Sequence, residues 1–176
     1  MFLRNTKLAR ILVIGAAGCG KSQIINSFLH FAQLWGCKDR VGVFCPTGKV
    51  ATLLRKYSEA MTWQSKLGYR TSTQKPLTDK KISYLKEYIK NLWIVIFDEV
   101  SMIGGNDWNT INTLFKRWSR SKEAYGGKNL IHFGDFNQLP PVFDTSLAVD
   151  LKRRDVPAVA REGITLFRKL HQNVFF

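Results

Sequence analysis

Short apolar runs alternate with segments of helical periodicity along this chain. Four runs end directly before a glycine, a proline or an aspartate: Ile11–Ile14, Val41–Cys45, Trp93–Phe97 and Asn129–Phe133. Such runs predict buried strands, and a further strand is predicted at Asn173–Phe176. The alternation of strands and helices is typical of βαβ units around a mainly parallel sheet.

Helices are predicted between these strands. Lys21–Trp35 carries one apolar face, formed by Ile24, Phe28, Phe31 and Trp35. Asp107–Lys122 is expected to be amphipathic, because its apolar residues step by three and four positions: Trp108, Ile111, Leu114, Phe115 and Trp118. Trp35, Trp93, Trp108 and Trp118 are therefore expected in the core.

The remaining segments are assigned by composition and spacing. Further helices are predicted over Lys49–Lys56, Lys80–Lys90 and Arg161–Leu170. The polar stretch Thr71–Asp79, which contains a proline, is expected to be a loop. The 176 residues are enough for one domain with a core of its own, so one α/β domain over residues 1–176 is expected.

The charge balance adds a partner class to this picture. Lys and Arg number 27 against 13 Asp and Glu, a net charge of +14, which favours polyanions. Nucleic acid is favoured over a membrane, because no segment reaches the roughly 18 apolar residues of a spanning helix. A solvated basic surface without a specific partner explains the charge equally well.

Cysteines and histidines suggest no metal site. Cys19, Cys37 and Cys45 have neither zinc-ligand nor disulfide-framework spacing, and Met1–Arg10 has no apolar run of a secretion signal. An intracellular protein is expected, nuclear or mitochondrial in a eukaryote and cytoplasmic otherwise. His30, His132 and His171 are interpreted as structural.

A glycine-rich segment follows the first predicted strand and opens a helix. Its residues match the pattern GxxxxGK[ST]: Gly15, Ala16, Ala17, Gly18, Cys19, Gly20, Lys21 and Ser22. Backbone N–H groups of such a loop surround phosphate oxygens at a helix N-terminus. Lys21 would reach the β- and γ-phosphates of ATP, and the Ser22 hydroxyl would ligate Mg²⁺.

Two adjacent carboxylates follow the strand Trp93–Phe97. Asp98 and Glu99 would lie at the carboxyl edge of the sheet, where ligands of open α/β sheets bind. Asp98 suits a role on Mg²⁺ and Glu99 could polarise an attacking water. An Asp-Glu pair after a strand is usually just solvated, but together with the glycine-rich loop it predicts a P-loop NTPase.

A third polar segment, Gly134–Pro141, follows the strand Asn129–Phe133. Gln138 could sense the γ-phosphate or orient water, as a glutamine does in other NTPases. A proline-terminated turn, in which Asp135 and Gln138 only satisfy the backbone, is an equally good interpretation of these residues.

Read in order, five strings look like successive helicase motifs: GAAGCGKS, FCPTGKVATLL, TWQSKLG, VIFDEVSMI and YGGKNLIHFGDFNQLPPV. They resemble the petite-integration-frequency (PIF-type) family of superfamily-one DNA helicases, which includes the helicase parts of Helitron transposons. The resemblance covers about residues 11–142. It implies a RecA-like fold, with helices on both faces of the sheet, and ATP-driven movement 5′ to 3′ on single-stranded DNA.

The resemblance also implies roles for individual residues. Asp98 would hold Mg²⁺, Glu99 would be the catalytic carboxylate, and Gln138 would couple the state of the γ-phosphate to motion. The segments expected to contact DNA contain Pro46, Thr47, Gly48, Thr62, Trp63 and Ser65, and stacking of a base on the Trp63 ring has a physical rationale.

The sequence departs from the family pattern in three places. Trp63-Gln64 stands where Ile-His is usual, and Met1–Arg10 has Asn5 but no glutamine in the place of the adenine-recognition segment. No counterpart of the family's second RecA-like domain, which supplies an arginine finger, precedes Phe176. The chain alone is therefore expected to hydrolyse ATP slowly and not to unwind DNA.

Single-stranded DNA, duplex junctions and a second motor domain, in cis or on another chain, are the expected partners, with ATP and Mg²⁺ as cofactors. Repair, recombination, telomere maintenance, replication and transposition are all compatible with such a motor. Two alternatives stay open: a P-loop NTPase of another kind, and a non-catalytic remnant that binds nucleic acid through its basic surface.

Overall fold

A six-stranded parallel sheet forms the centre of the molecule in a computed structural model that describes residues 8–48, 51–52, 60–71, 73–171 and 173–175. The strands are β1 (Arg10–Ile14), β2 (Val41–Cys45), β3 (Met61–Thr62), β4 (Ile94–Phe97), β5 (Asn129–Gly134) and β6 (Asn173–Phe175). Their order across the sheet is β3-β2-β4-β5-β1-β6, and every pair is parallel. All strands therefore end at one edge.

Five α-helices that lie wholly within the described residues connect or flank the strands: α1 (Lys21–Leu34), α2 (Trp63–Leu67), α3 (Asp79–Asn91), α4 (Gly105–Ser119) and α5 (Ala158–Leu170). The predicted strands and the helices over Lys80–Lys90, Asp107–Lys122 and Arg161–Leu170 are confirmed to within a few residues. The helix predicted over Lys49–Lys56 lies largely outside the described residues; of it, Ala51 and Thr52 are described and helical.

Helices cover both faces of the sheet. On one face α3, α4 and α5 enclose the larger core, in which Phe97, Trp108 and Phe115 are fully buried. On the other face Ile25 and Leu29 of α1 pack on strand residues such as Ile96 and Phe133. Because right-handed crossovers that run in opposite directions along a sheet place their helices on opposite faces, the strand order dictates this arrangement. The expected RecA-like α/β fold is confirmed.

The predicted core face of α1 is wrong. The face in contact with the sheet contains Ile25, Leu29 and Ala32, whereas Ile24, Phe31 and Trp35 are 52%, 54% and 78% exposed. The helix carries two adjacent apolar stripes, about 100° apart around the axis, and the smaller side chains fit against the pleated sheet. Trp93, at 59% exposed, was also wrongly assigned to the core, while Trp108 and Trp118 are buried as predicted.

No helix in the described part of the chain is both long and apolar enough to cross a lipid bilayer.

Candidate functional site

Three loops converge at the carboxyl edge of the sheet, after β1, β4 and β5. These strands are direct neighbours in the order β4-β5-β1, so the loops that follow them start side by side. The Gly15 N–H donates to the Gly134 carbonyl oxygen at 3.2 Å, which ties the first loop to the third. Three motifs that are far apart in the sequence thus lie close together in the structure.

The loop after β1 turns into α1 through glycines with a left-handed backbone. Gly18 and Gly20 have φ of 76° and 92°, a region that side chains with a Cβ rarely enter. Gly20 caps α1, and its carbonyl oxygen accepts from the Gln23 N–H at 2.9 Å. The first N–H groups of α1 consequently point into the loop, which is the geometry for binding an anion at a helix N-terminus.

Lys21 is folded back into this loop. Its side chain is 7% exposed, and Nζ donates to the carbonyl oxygens of Gly15 at 2.6 Å and Ala16 at 3.0 Å. The ammonium group therefore lies inside the curve of the loop, held by neutral acceptors that a phosphate oxygen could replace with a stronger, charge-assisted bond. Ser22, the next residue, is exposed.

Asp98 is 4% exposed at the end of β4. Its N–H donates to the Phe44 carbonyl oxygen at 3.0 Å, and its Oδ1 accepts from the Glu99 N–H at 3.0 Å. Burial, and then the charge of Glu99, raise the pKa of Asp98 to about 6, while the Glu99 N–H and the charge of Lys21 act in the opposite direction. The influence of Lys21 on Asp98 reflects the convergence of the first and second loops.

Glu99 occupies a strained backbone conformation. Its φ of 51° and ψ of 49° are left-handed, which costs on the order of 1 kcal/mol for a residue with a Cβ. Its Oε2 is buried and has no hydrogen-bond partner among the described residues. This oxygen is therefore a buried acceptor whose hydrogen-bonding capacity the described residues do not use.

The third loop begins with a close approach between β5 and the turn after Glu99. A Cβ on Gly134 would lie 2.8 Å from Cγ2 of Val100, so only glycine fits there. Asp135, 5% exposed, accepts from the Asn137 N–H through Oδ1 at 3.0 Å and from Gln138 Nε2 through Oδ2 at 3.2 Å. The Gln138 side chain is thus tied to Asp135, the arrangement of the simple-turn interpretation, and a role on a γ-phosphate stays a prediction.

The segments expected to contact DNA start at the same edge of the sheet. Cys45 pairs with Thr62 in the register of β2 and β3, so the Pro46–Gly48 segment and the start of α2 are neighbours. The Thr62 hydroxyl accepts from the Ser65 N–H at 3.3 Å and caps α2. Gly48 and Ser65 are exposed, while Pro46, Thr47 and Thr62 are half-buried.

Trp63 does not fit the stacking hypothesis. Its ring is 1% exposed and lies 5.3 Å from the Tyr69 ring, centroid to centroid. A base has no access to either face, so this burial contradicts stacking by Trp63. The tryptophan begins α2 and anchors it to the core, which the motif string alone did not indicate.

A residue outside the expected motifs caps helix α4. Asp144 accepts from the N–H groups of Asn106 at 3.2 Å and Asp107 at 3.1 Å, and so caps α4 from a distant loop. Sequence analysis missed this residue, because α4 begins two residues before the predicted start, and its N-cap Gly104 has no side chain that could accept hydrogen bonds. Among the described residues no group of three or more His, Cys, Asp or Glu could hold a metal ion, so any metal here would need hydroxyl and phosphate oxygens as further ligands.

Comparison with known proteins identifies the architecture. A family model described as an AAA domain matches residues 4–144. The chain is 29% identical over 136 residues to the ATP-dependent DNA helicase Pif1 of Psychrobacter sp. (strain PRwf-1), covering 75% of this chain and 20% of that protein. It is 31% identical over 141 residues to the ATP-dependent DNA helicase RRM3 of Saccharomyces cerevisiae, covering 77% and 19%.

A solved structure shows the same fold. The crystal structure of the Pif1 helicase from Bacteroides in complex with ADP-AlF3 and ssDNA matches with a TM-score of 0.63 at 24% identity, covering 86% of this chain and 32% of that one. The chain thus spans about a fifth of the length of the two curated relatives.

Proposed function

Because this chain belongs to the AAA-domain family and is a motor domain of the Pif1 helicase type, we propose that it binds and hydrolyses ATP to drive movement 5′ to 3′ along single-stranded DNA. The observation that carries the proposal is the convergence of the loops after β1, β4 and β5 at one edge of the sheet. ATP hydrolysis requires three elements at one place: a loop that forms a cradle for the phosphates, a pair of carboxylates, and a residue that senses the γ-phosphate.

The cradle is the loop Gly15–Ser22, formed by Gly15, Ala16, Ala17, Gly18, Cys19, Gly20, Lys21 and Ser22. On ATP binding, the Lys21 ammonium would exchange the carbonyl oxygens of Gly15 and Ala16 for oxygens of the β- and γ-phosphates. The loop is wide enough to hold this cation now, which supports the exchange. Since the phosphate bonds are charge-assisted, they are the stronger set.

Ser22 and Asp98 are the residues that would hold Mg²⁺. A hydroxyl and a carboxylate are the hard oxygen donors that Mg²⁺ prefers, and Asp98 is held at the buried end of β4, on the strand next to β5 and one strand away from β1. A magnesium ion bound there would neutralise charge on the β- and γ-phosphates.

Glu99 is proposed as the catalytic carboxylate. Its buried Oε2 without a partner would accept a hydrogen bond from the attacking water, and a strained left-handed backbone is a feature that often marks functional sites. Gln138 would respond to the γ-phosphate by breaking its hydrogen bond to Asp135 and forming one to a phosphate oxygen instead. The bond to Asp135 holds the side chain in a defined resting position.

The DNA strand would lie along the same edge, over Pro46, Thr47, Gly48, Thr62 and Ser65. Exposed Gly48 and Ser65 offer N–H and hydroxyl groups to phosphates, which positions a strand without reading its sequence. Duplex junctions and a second motor domain, in cis or on another chain, complete the proposed set of partners. A nuclear or mitochondrial location in a eukaryote, and a cytoplasmic one otherwise, follows from such a role.

ATP turnover by the purified chain, with and without oligothymidine, tests the proposal. Lys21→Ala should weaken Mg-ATP binding by about 10- to 100-fold, the loss of a charge-assisted bond. Glu99→Gln should keep nucleotide affinity and lower turnover by about 10²–10⁴-fold, the usual contribution of a general base. Lys152→Ala, an exposed surface change, serves as the matched control for Lys21→Ala and should have no effect.

Two results would contradict the proposal. Nucleotide affinity that survives Lys21→Ala would favour the non-catalytic remnant, and turnover indifferent to DNA would favour an NTPase of another kind. Because an arginine finger is worth about 10³–10⁵-fold in rate, turnover by the chain alone should be slow. Robust duplex unwinding by these 176 residues would refute the need for a second motor domain.

A further inference from the structure

At the edge of the sheet opposite the nucleotide site, basic residues and a tryptophan lie at the starts of the strands. In a parallel sheet each connecting helix runs back antiparallel to the strands, so strand starts and helix C-termini meet at this edge. Arg40, Trp93 and Lys128 directly precede β2, β4 and β5, and the register Val41↔Ile94 and Ile94↔Asn129 aligns them in one row. Lys90 lies in the last turn of α3, beside this row.

Trp93 is presented rigidly at the centre of the row. The side chain is 59% exposed, but its backbone N–H donates to the Arg40 carbonyl oxygen at 2.8 Å. Its carbonyl oxygen accepts from the backbone N–H of Asn129 at 3.2 Å and from Asn129 Nδ2 at 3.0 Å. The Arg40 guanidinium lies over the ring, 5.4 Å from its centroid. A large apolar ring is therefore exposed at a position that the backbone fixes.

Arg40 lies over the ring, two lysines lie in the same row of strand starts and helix ends, and the carboxylates of Asp39 and Glu87 are already engaged. Lys128 Nζ donates to the Lys90 carbonyl oxygen at 3.0 Å, and neither lysine forms an ion pair within the described part of the chain. Asp39 pairs with Arg40 at 3.4 Å, and Glu87 Oε1 accepts from Asn91 Nδ2 at 3.1 Å. Burial lowers the pKa of Lys128, and no neighbouring carboxylate opposes this shift.

A purely structural explanation accounts for part of this surface. Lys90 complements the negative end of the α3 dipole, as a basic residue in a last helical turn commonly does. It does not explain why an indole is left in solvent beside Arg40 and two lysines. An exposed aromatic ring among cations is the arrangement with which proteins hold single strands, because bases stack on the ring and phosphates meet the cations.

We propose that Arg40, Lys90, Trp93 and Lys128, which we call the Trp93 patch, form a second contact surface for single-stranded nucleic acid. A base stacks on Trp93, and the flanking phosphates contact the three cations. The patch lies at the strand starts, whereas the DNA segments of the proposed motor lie at the strand ends. It therefore adds a surface to the motor site, along which a strand leaving or entering the motor is held.

Photo-cross-linking with an oligothymidine that carries 5-iodouracil tests the patch directly, using the whole chain. We expect a cross-link on the peptide that contains Trp93, and its loss in Trp93→Ala. In anisotropy titrations with the same oligonucleotide, Trp93→Ala should weaken binding by about 5- to 100-fold, the range for one stacked base, and Trp93→Phe by much less. If the alanine variant folds poorly, the charge variant Lys90→Glu keeps the proposal testable.

Matched variants distinguish binding at the Trp93 patch from attraction of the nucleic acid by the net positive charge of the protein. Lys90→Glu should lower the slope of log affinity against log salt by about one, whereas Lys152→Glu, an exposed lysine outside the patch, should change it less. Tyr84→Ala removes another exposed aromatic with a cation over it, Lys81 at 4.7 Å, and should leave binding unchanged. Equal losses from patch and control variants would overturn the proposal.

Other outcomes are equally decisive. ATP turnover should be unchanged in the Trp93 and Lys90 variants, because neither residue lies at the nucleotide edge. If Ser65→Ala weakens DNA binding and the Trp93 variants do not, the motor proposal stands and the patch is refuted. A patch that binds phosphatidylserine vesicles but not oligothymidine, or a chain that binds no single strand at all, would also refute it.

Discussion

His132 and His171 lie 39 residues apart in the sequence and form a hydrogen bond of 2.6 Å between Nδ1 and Nε2. Since His171 Nδ1 donates to the Phe167 carbonyl oxygen at 2.6 Å, its Nε2 accepts, and His132 Nδ1 is the donor. His132 Nε2 is then buried without a partner among the described residues, and the centroids of the His132 and Trp108 rings lie 5.0 Å apart. Both rings are neutral in this arrangement.

This pair predicts a loss of stability in acid. Burial lowers the pKa of His171 to about 4 and that of His132 well below its usual range. A base with a lowered folded-state pKa binds fewer protons than in the unfolded chain, so stability is complete above about pH 6.5 and falls as the pH drops. His171 alone should cost on the order of 2 kcal/mol at about pH 5.

Urea unfolding at about pH 7.5 and pH 5 measures this loss. The double variant His132→Phe, His171→Leu should lose less stability between the two pH values than the natural chain. His30→Ala, which changes an exposed histidine, should behave like the natural chain. If the double variant is as acid-sensitive as the natural chain, the histidine pair is not the cause.

The residues that the sequence assigned best are those whose role depends on local chain geometry. Gly18, Gly20 and Lys21 adopt the turn that their pattern demands, because glycine enters the left-handed backbone region without the steric cost of a Cβ. Residues whose role depends on neighbours far away in the sequence were not assigned correctly from the sequence. Trp63 is buried in the larger core, which distant elements complete, and the histidine pair depends on the neighbouring positions of β5 and the end of α5.

At the scale of elements, helices α4 and α5 pack together through small residues. A Cβ on Gly105 would lie 2.5 Å from the Ala160 carbonyl oxygen, and a Cβ on Gly163 would overlap the Gly105 carbonyl oxygen. The two backbones therefore cross in direct contact. Hydrophobic periodicity predicted α4, and composition and spacing predicted α5, yet neither could predict this crossing, since a glycine inside a helix looks unfavourable from the sequence alone.

Gly163→Ala tests the crossing. Alanine should favour an isolated helix by about 1 kcal/mol, but here it should lower the free energy of unfolding by a net of about 1–3 kcal/mol, because α4 and α5 must separate. Chemical unfolding measures the change. Val159→Ala, an exposed position of the same helix, should have an effect below about 0.5 kcal/mol, and an unchanged or increased stability of Gly163→Ala would contradict the close crossing.

Element boundaries were predictable where a strand ended at a strongly polar or glycine-rich segment. β2 was predicted at its observed limits, because Pro46 ends it, and β4 ends at the Asp98-Glu99 pair. The orientation of α1 was not predictable, since both of its apolar stripes satisfy helical periodicity. Only the shape of the sheet surface decides which stripe is buried.

At the scale of the whole molecule, positive charge is poorly compensated. The net charge is +14, and within the described residues only two ion pairs form, Arg40–Asp39 and Arg153–Asp155. Both pairs join residues that are close in sequence, so neither holds distant parts of the fold together. The carboxylates at the nucleotide edge, among them Asp98 and Asp135, are buried and cannot pair with surface cations. The two hydrophobic cores therefore stabilise the fold against repulsion among the lysines and arginines. The excess of these residues in the sequence already indicated this repulsion.

This repulsion predicts that salt has opposite effects on stability and on DNA binding. Raising NaCl from about 50 to 300 mM shortens the screening length from about 14 to 6 Å, which weakens repulsion between surface lysines and arginines more than it weakens any ion pair within contact distance. A gain of about 1–2 kcal/mol in the free energy of unfolding corresponds to an increase of about 2–8 °C in melting temperature for a domain of this size, which differential scanning fluorimetry can measure.

Over the same range of NaCl concentration the affinity for oligothymidine should fall, because the counterions that binding releases from the strand enter a solution of higher salt concentration. Equimolar oligothymidine at low salt should itself raise the melting temperature, since a ligand that binds the folded chain stabilises it by mass action. A melting temperature that is unaffected or lowered by NaCl would mean that the cations are already neutralised within the fold.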